Sequence, residues 1–135
     1  MCTRWEEDAD LRIAEMEHSL VVLNRDQFFP GCTLLFTREH TTELFHLEPA
    51  VRQGLTEEVN RVAAALDRVF QPAKMNYELL GNMVAHMHWH LIPRFREDPL
   101  WPRPIWSEPH REKHLDAEGY RETIARIRKT LDLTP

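Results

Sequence analysis

The chain is poor in cysteine. Two residues, Cys2 and Cys32, among 135 cannot make a disulfide framework, and a reducing cytoplasm is the expected setting. It also lacks an apolar run near the ~20 residues that a bilayer span needs. The acidic opening Met1-Cys2-Thr3-Arg4-Trp5-Glu6-Glu7-Asp8 has no apolar core of a leader. Positive charge is in deficit: 17 Lys and Arg against 22 Asp and Glu give a net charge of −5. That field repels polyanions, so neither general nucleic-acid binding nor attachment to an anionic membrane is expected. A small anion held in a local pocket stays open. Internal repeats and low-complexity tracts are absent. What remains is an ordinary composition, 42% hydrophobic and 29% charged, at a length expected to form one domain over 1–135 with a proper core.

Periodicity places the elements. Leu11 to Glu17 alternates partly and reads as a short strand, Leu20-Val21-Val22-Leu23 as a more buried one ending at Asn24. Pro30-Gly31 marks a turn. Thr33 to Thr37 is a third strand. A long helix begins near Pro49, a residue suited to a first helical turn. Its stripe is Val51, Leu55, Val59, Val62, Ala63, Leu66, Val69 and Phe70, with Arg52, Glu57, Glu58, Arg61 and Arg68 off it. Pro72 stops it. Met75 to Leu80 and His86 to Phe95 read as strands around a Gly81-Asn82 turn. Residues 98–109 hold four prolines with Trp101 and Trp106 and form a loop. Ala117 to Leu131 reads as a last helix with Asp116 as its N-cap. The order implies an α+β layer with mostly antiparallel pairing.

The chemistry concentrates in Ala85-His86-Met87-His88-Trp89-His90-Leu91-Ile92. On a strand, His86, His88 and His90 project to one face and Met87, Trp89 and Leu91 to the other. Three readings compete. The histidines could simply decorate an exposed face. They could ligate zinc in an open site, although residues i and i+4 of a strand lie ~13 Å apart, too far to share one ion unless the strand bends. Or they could attack phosphorus: a neutral imidazole is a nucleophile at pH 7, and its neighbours can orient it and donate a proton.

With its context, this run resembles the His-φ-His-φ-His-φ-φ signature of the histidine triad superfamily of nucleotide hydrolases and transferases. The strand ending in Asn24, the Pro30-Gly31 turn, the long helix and Gly81-Asn82 four residues before His86 match the same family over about residues 11–95. The tail from Asp98 to Trp106 is similar to a bacterial branch described as diadenosine-tetraphosphate-hydrolase-like. The resemblance implies a five-stranded, mostly antiparallel sheet with one long and one C-terminal helix, no cofactor, no catalytic metal, and a homodimer that joins its sheets. His88 would be the nucleophile at the α-phosphorus, forming a nucleotidyl-histidine that water then hydrolyses. His90 would contact phosphate and help protonate the leaving group, and His86 would hold the geometry through its carbonyl. Asn82 would bond phosphate, Asn24 the ribose hydroxyls, and Val22, Leu23 and Phe28 would line the base slot. The leaving group could be a second nucleotide, as in dinucleoside polyphosphates, which the tail favours, or an amine or sulfate. A nucleotide-binding sensor with little turnover is the non-enzymatic alternative.

The sequence departs from the family at Cys32, where many members have histidine, and at Cys2-Thr3-Arg4-Trp5, which keeps one cysteine of a zinc-binding pair. His40 is then the remnant of a zinc site that is not expected to bind. Trp101 and Trp106 read first as pins for the proline-rich loop. His18, His46, His110 and His114 read as ordinary surface or loop histidines. Arg94 reaches the phosphate only if alternation holds from His90.

Overall fold

The computed structural model describes residues 3–132. A short α1 (Arg4–Glu7) is followed by β1 (Arg12–Glu15), β2 (Ser19–Leu23), β3 (Thr33–Thr37), α2 (Pro49–Phe70), β4 (Lys74–Leu79), β5 (His88–Arg94) and α3 (Ala117–Asp132). The five strands form one sheet in the order β1-β2-β3-β5-β4. Every pairing is antiparallel. The architecture is therefore α+β, as expected, and β4 is an edge strand.

The helices start and stop where local chemistry dictates. Pro49 occupies the first turn of α2, and Gln71 closes it in the left-handed conformation, its N–H donating to Asp67 O. Asp116 caps α3, its Oδ1 accepting from Gly119 N at 2.7 Å. The apolar stripe of α2 buries Leu55, Val59, Val62, Ala63 and Leu66 against the sheet and α3. Glu58, expected off that stripe, is buried too. It pins α2 to β2, accepting from Ser19 Oγ at 2.6 Å and His18 N at 3.0 Å. Its burial is tolerable because those donors replace water.

Pro93 sits inside β5 without harm. Pairing with β3 ends at Leu91, so the missing N–H is not needed on that side. A second, smaller cluster of Phe29, Cys32, Ile92, Leu100 and Ile105 packs the proline-rich loop onto the sheet. By alternation Ile92 shares its strand face with His88 and His90. The loop thus roofs the face that carries the histidines. Among the described residues no helix is long and apolar enough to cross a membrane.

Candidate active site

His88 and His90 stand on β5, paired with Phe36 and Leu34 of β3. His86 does not: β5 begins at His88, so the expectation that one strand carries all three histidines is corrected. The reason lies on β3. His86 lies in a bend, and its Nε2 reaches back to the Thr37 carbonyl at 2.7 Å and Thr37 Oγ1 at 3.1 Å. A carbonyl only accepts, so Nε2 carries the proton. Burial lowers the His86 pKa, against the opposing bond from Thr37. Nor is the histidine face open to solvent, since His86 and His88 are both buried.

The same logic fixes His88. Its Nδ1 lies 2.8 Å from the backbone oxygen of His86. Nδ1–H must be the donor, which leaves the lone pair on Nε2, a nitrogen bonded to no described residue. His90 packs beside it with ring centroids 5.3 Å apart. Desolvation, then the neighbouring His88 and Arg4, push the His90 pKa down to about 4. His90 is therefore neutral in the free protein at pH 7. Its Nδ1 is buried without a partner among the described residues.

His90 opens onto a cavity of about 640 Å³, lined also by Arg4, Asn24, Arg25, Asp26, Ile105, Trp106, Glu108, Pro109, His110 and Glu112. The volume is in the range of sites for small-molecule ligands. Asn24 sits at the end of β2, as the sequence implied. Its Nδ2 donates to Asp26 O at 3.3 Å, and Arg4 donates to its Oδ1 at 3.4 Å. The other implied binding residues are placed differently. Leu23 is wholly within the core and Phe28 is half-buried beneath His110; neither lines the cavity. Val22 is core as well. Asn82 is exposed on the loop before His86 and also lies outside the cavity lining.

Arg94 keeps the face of His90 by alternation but does not serve the cavity. Its guanidinium is buried, bonded to Asp98 at 2.6 Å and Asn76 at 2.9 Å, and anchors the base of the proline-rich loop. Trp106 both pins that loop and forms cavity wall. Its indole N–H donates to Glu78 Oε1 at 2.8 Å, and its ring meets His90 edge-on at 5.3 Å. Trp101 packs under Arg96, away from the cavity.

Cys32 is buried, and desolvation pushes its thiol up to about 12, so it is a packed residue and not a nucleophile at neutral pH. His40 is exposed, with its ring 5.2 Å from that of His86. Cys2, the other residue of the remnant zinc pair, lies outside the described residues. Among those described, no three His, Cys, Asp or Glu side chains gather as a metal site.

Arg4, Arg25, Asp26, Glu108 and Glu112 line the cavity without any sign in the sequence, and so does a histidine. His110, expected to be an ordinary loop histidine, stacks on Phe28 at 4.3 Å and its Nε2 lies 2.7 Å from Asp26 Oδ2. Nothing in the spacing between residues 26 and 110 signals that contact.

Comparison with known proteins places the fold. The family model described as "HIT domain" matches residues 6–97. A curated relative, "Protein hit" of Bacillus subtilis (strain 168), is 28% identical over 89 residues, covering 62% of this chain and 61% of the relative's length. A histidine triad protein from Sinorhizobium meliloti 1021 superposes with a TM-score of 0.85 at 31% identity, over 96% of this chain and 95% of that one. One from Bradyrhizobium japonicum gives 0.84 at 28%, over 93% and 94%.

Proposed function

From the premise that the chain belongs to the HIT family, whose members are nucleotide-binding hydrolases and transferases, we propose that it cleaves nucleotide conjugates at the α-phosphorus through a nucleotidyl-histidine on His88. The observation that carries this reading is the bond from His88 Nδ1 to the His86 carbonyl. It fixes the Nδ1–H tautomer and so leaves Nε2 as the attacking nitrogen. His90 is desolvated and neutral before substrate arrives. Phosphate charge beside it raises its pKa, so it can hold a proton and pass it to the departing group. Asn24 offers both a donor and an acceptor, as a ribose diol requires. No step calls for a metal ion or cofactor.

We favour a second nucleotide as leaving group, with Arg4 and Arg25 facing its phosphates across the cavity. An amine is the second reading, and a specific observation favours it. Both arginines are already paired, with Asp8 and with Asp8 and Asp10 respectively, while Asp26, Glu108 and Glu112 also line the cavity. That balance suits a leaving group without negative charge.

We propose a cytoplasmic homodimer joined through β4, whose outer edge is unpaired and which leaves Tyr77 and the adjoining Leu80 exposed. Sedimentation should give twice the chain mass.

The deciding experiment is mononucleotide release from diadenosine tetraphosphate and from an adenosine phosphoramidate, with chelator present. Turnover by the wild type that disappears in His88→Ala supports the mechanism and ranks the leaving groups. Binding without turnover would favour a sensor, and activity that chelator removes and zinc restores would overturn the metal-free route.

A further inference from the structure

His110 is held more tightly than a loop side chain needs to be. Its ring lies over Phe28 with centroids 4.3 Å apart and 27° between planes, and Phe29 meets it edge-on at 5.3 Å. Its Nε2 is bonded to Asp26 Oδ2 at 2.7 Å. The carboxylate is itself fixed, its Oδ1 accepting from Phe28 N at 3.0 Å and Lys113 N at 2.9 Å. Gln27 N donates to Lys113 O at 2.8 Å, and Tyr120 Oη donates to Arg25 O at 2.7 Å. Four hydrogen bonds thus tie residues between His110 and Tyr120 to the loop that starts at Asn24.

The result is an aromatic ring fixed in position and tilt, covered on one face by Phe28, that nevertheless lines the cavity. Asp26, which clamps the ring, lies two residues beyond Asn24, the amide that offers a donor and an acceptor to a diol, and all three line the cavity. A planar ring with a π-face toward a ligand is a stacking platform, and one already immobilised loses little entropy on binding.

We propose that His110, stacked on Phe28 and clamped by Asp26, is the platform on which the nucleobase of the substrate stacks. It would take the place that the family resemblance implied for Phe28: Phe28 supports the base from one layer below. This inference rests on the nucleotide reading given above. Stacking asks only for a flat ring, so purine nucleotides should bind tighter than pyrimidine ones, without a hydrogen-bond code for one base.

The test is calorimetric titration of the full chain with AMP and with ribose phosphate, the same sugar phosphate lacking a base. His110→Ala should weaken AMP about tenfold, the scale of one aromatic–base stack, and leave ribose phosphate unchanged. His110→Phe keeps a flat ring without the bond to Asp26 and should stay within about threefold of wild type for AMP. A loop that merely loosened would weaken both ligands together, and that outcome overturns the platform, as does an unchanged AMP affinity in His110→Ala. Wild-type protein that binds no AMP overturns it too. The hydrolase reading fails separately, on conjugate turnover and its loss in His88→Ala.

Discussion

The Nδ1 of His88 and the backbone oxygen of His86 lie 2.8 Å apart, so the ring proposed as nucleophile is oriented by a main-chain carbonyl and not by a side chain. The imidazole of His86 contributes one step removed, by anchoring that bend to Thr37. The two residues should therefore fail differently. On the proposed mechanism His88→Ala removes the attacking nitrogen, and kcat for conjugate cleavage should drop by ~10⁴ or more. His86→Ala keeps the carbonyl but frees the bend, and misplacement on that scale costs about 10²-fold. Equal losses in single-turnover assays would show that the His86 ring takes part directly.

The unequal legibility of the site follows from the range of the interactions involved. Pro49, the α2 stripe and the Asp116 cap act within a turn or two of helix, and the sequence located each. The alternation of β5 was readable from His88 onward because period two is local. The departure of His86 from the strand was not, because its partner Thr37 is 49 residues away. The same holds for Glu58, which reads as a solvated helix residue until Ser19 is brought to it. Arg94 obeys its alternation, yet Asp98 and Asn76 claim it. His110 is held at the cavity by Asp26, 84 residues before it, and by Phe28.

The buried imidazole of His90 makes stability depend on pH. Its pKa in the folded chain is about 4, chiefly through desolvation, against about 6.5 unfolded. Between those values the unfolded chain binds a proton that the folded chain refuses, so unfolding free energy rises with pH across this window. Acidification from pH 6.5 to 4 should cost up to about 3 kcal/mol from this residue. The burial of His86 adds in the same direction. His90→Gln does not titrate and should lose correspondingly less over that range. Urea midpoints at both pH values check this, and parallel losses in variant and wild type would refute it.

Glu58 offers a test of the fold away from the cavity. Glu58→Ala strands the Ser19 hydroxyl and the His18 amide in a buried position. The loss should be about 1–3 kcal/mol. Glu58→Gln keeps one carbonyl acceptor for Ser19 and should cost less. Ala and Gln variants with the same denaturation midpoint would mean that water replaces the carboxylate.

Gly31 is where the cavity wall and the core constrain one another. It has φ of +87°, and a Cβ there would lie 2.8 Å from the Phe70 ring and 2.9 Å from Pro93. Left-handed backbone costs a non-glycine residue about 1–2 kcal/mol, and Phe70 and Pro93 close the space into which the methyl would go. Gly31→Ala should therefore destabilise the chain by about 2–4 kcal/mol. The damage should also reach the site. Gly31 N donates to Gln27 Oε1 at 2.9 Å, while Gln27 Nε2 donates to Asn24 O at 2.8 Å and Cys32 O at 3.1 Å. Displacing residue 31 thus displaces the bonds that set Asn24. The variant should show a raised KM with a smaller change in kcat at a temperature where it remains folded, because the chemistry proposed for His88 is carried by a different element. If the denaturation midpoint falls but KM does not move, Gln27 isolates Asn24 from the turn and the coupling is absent.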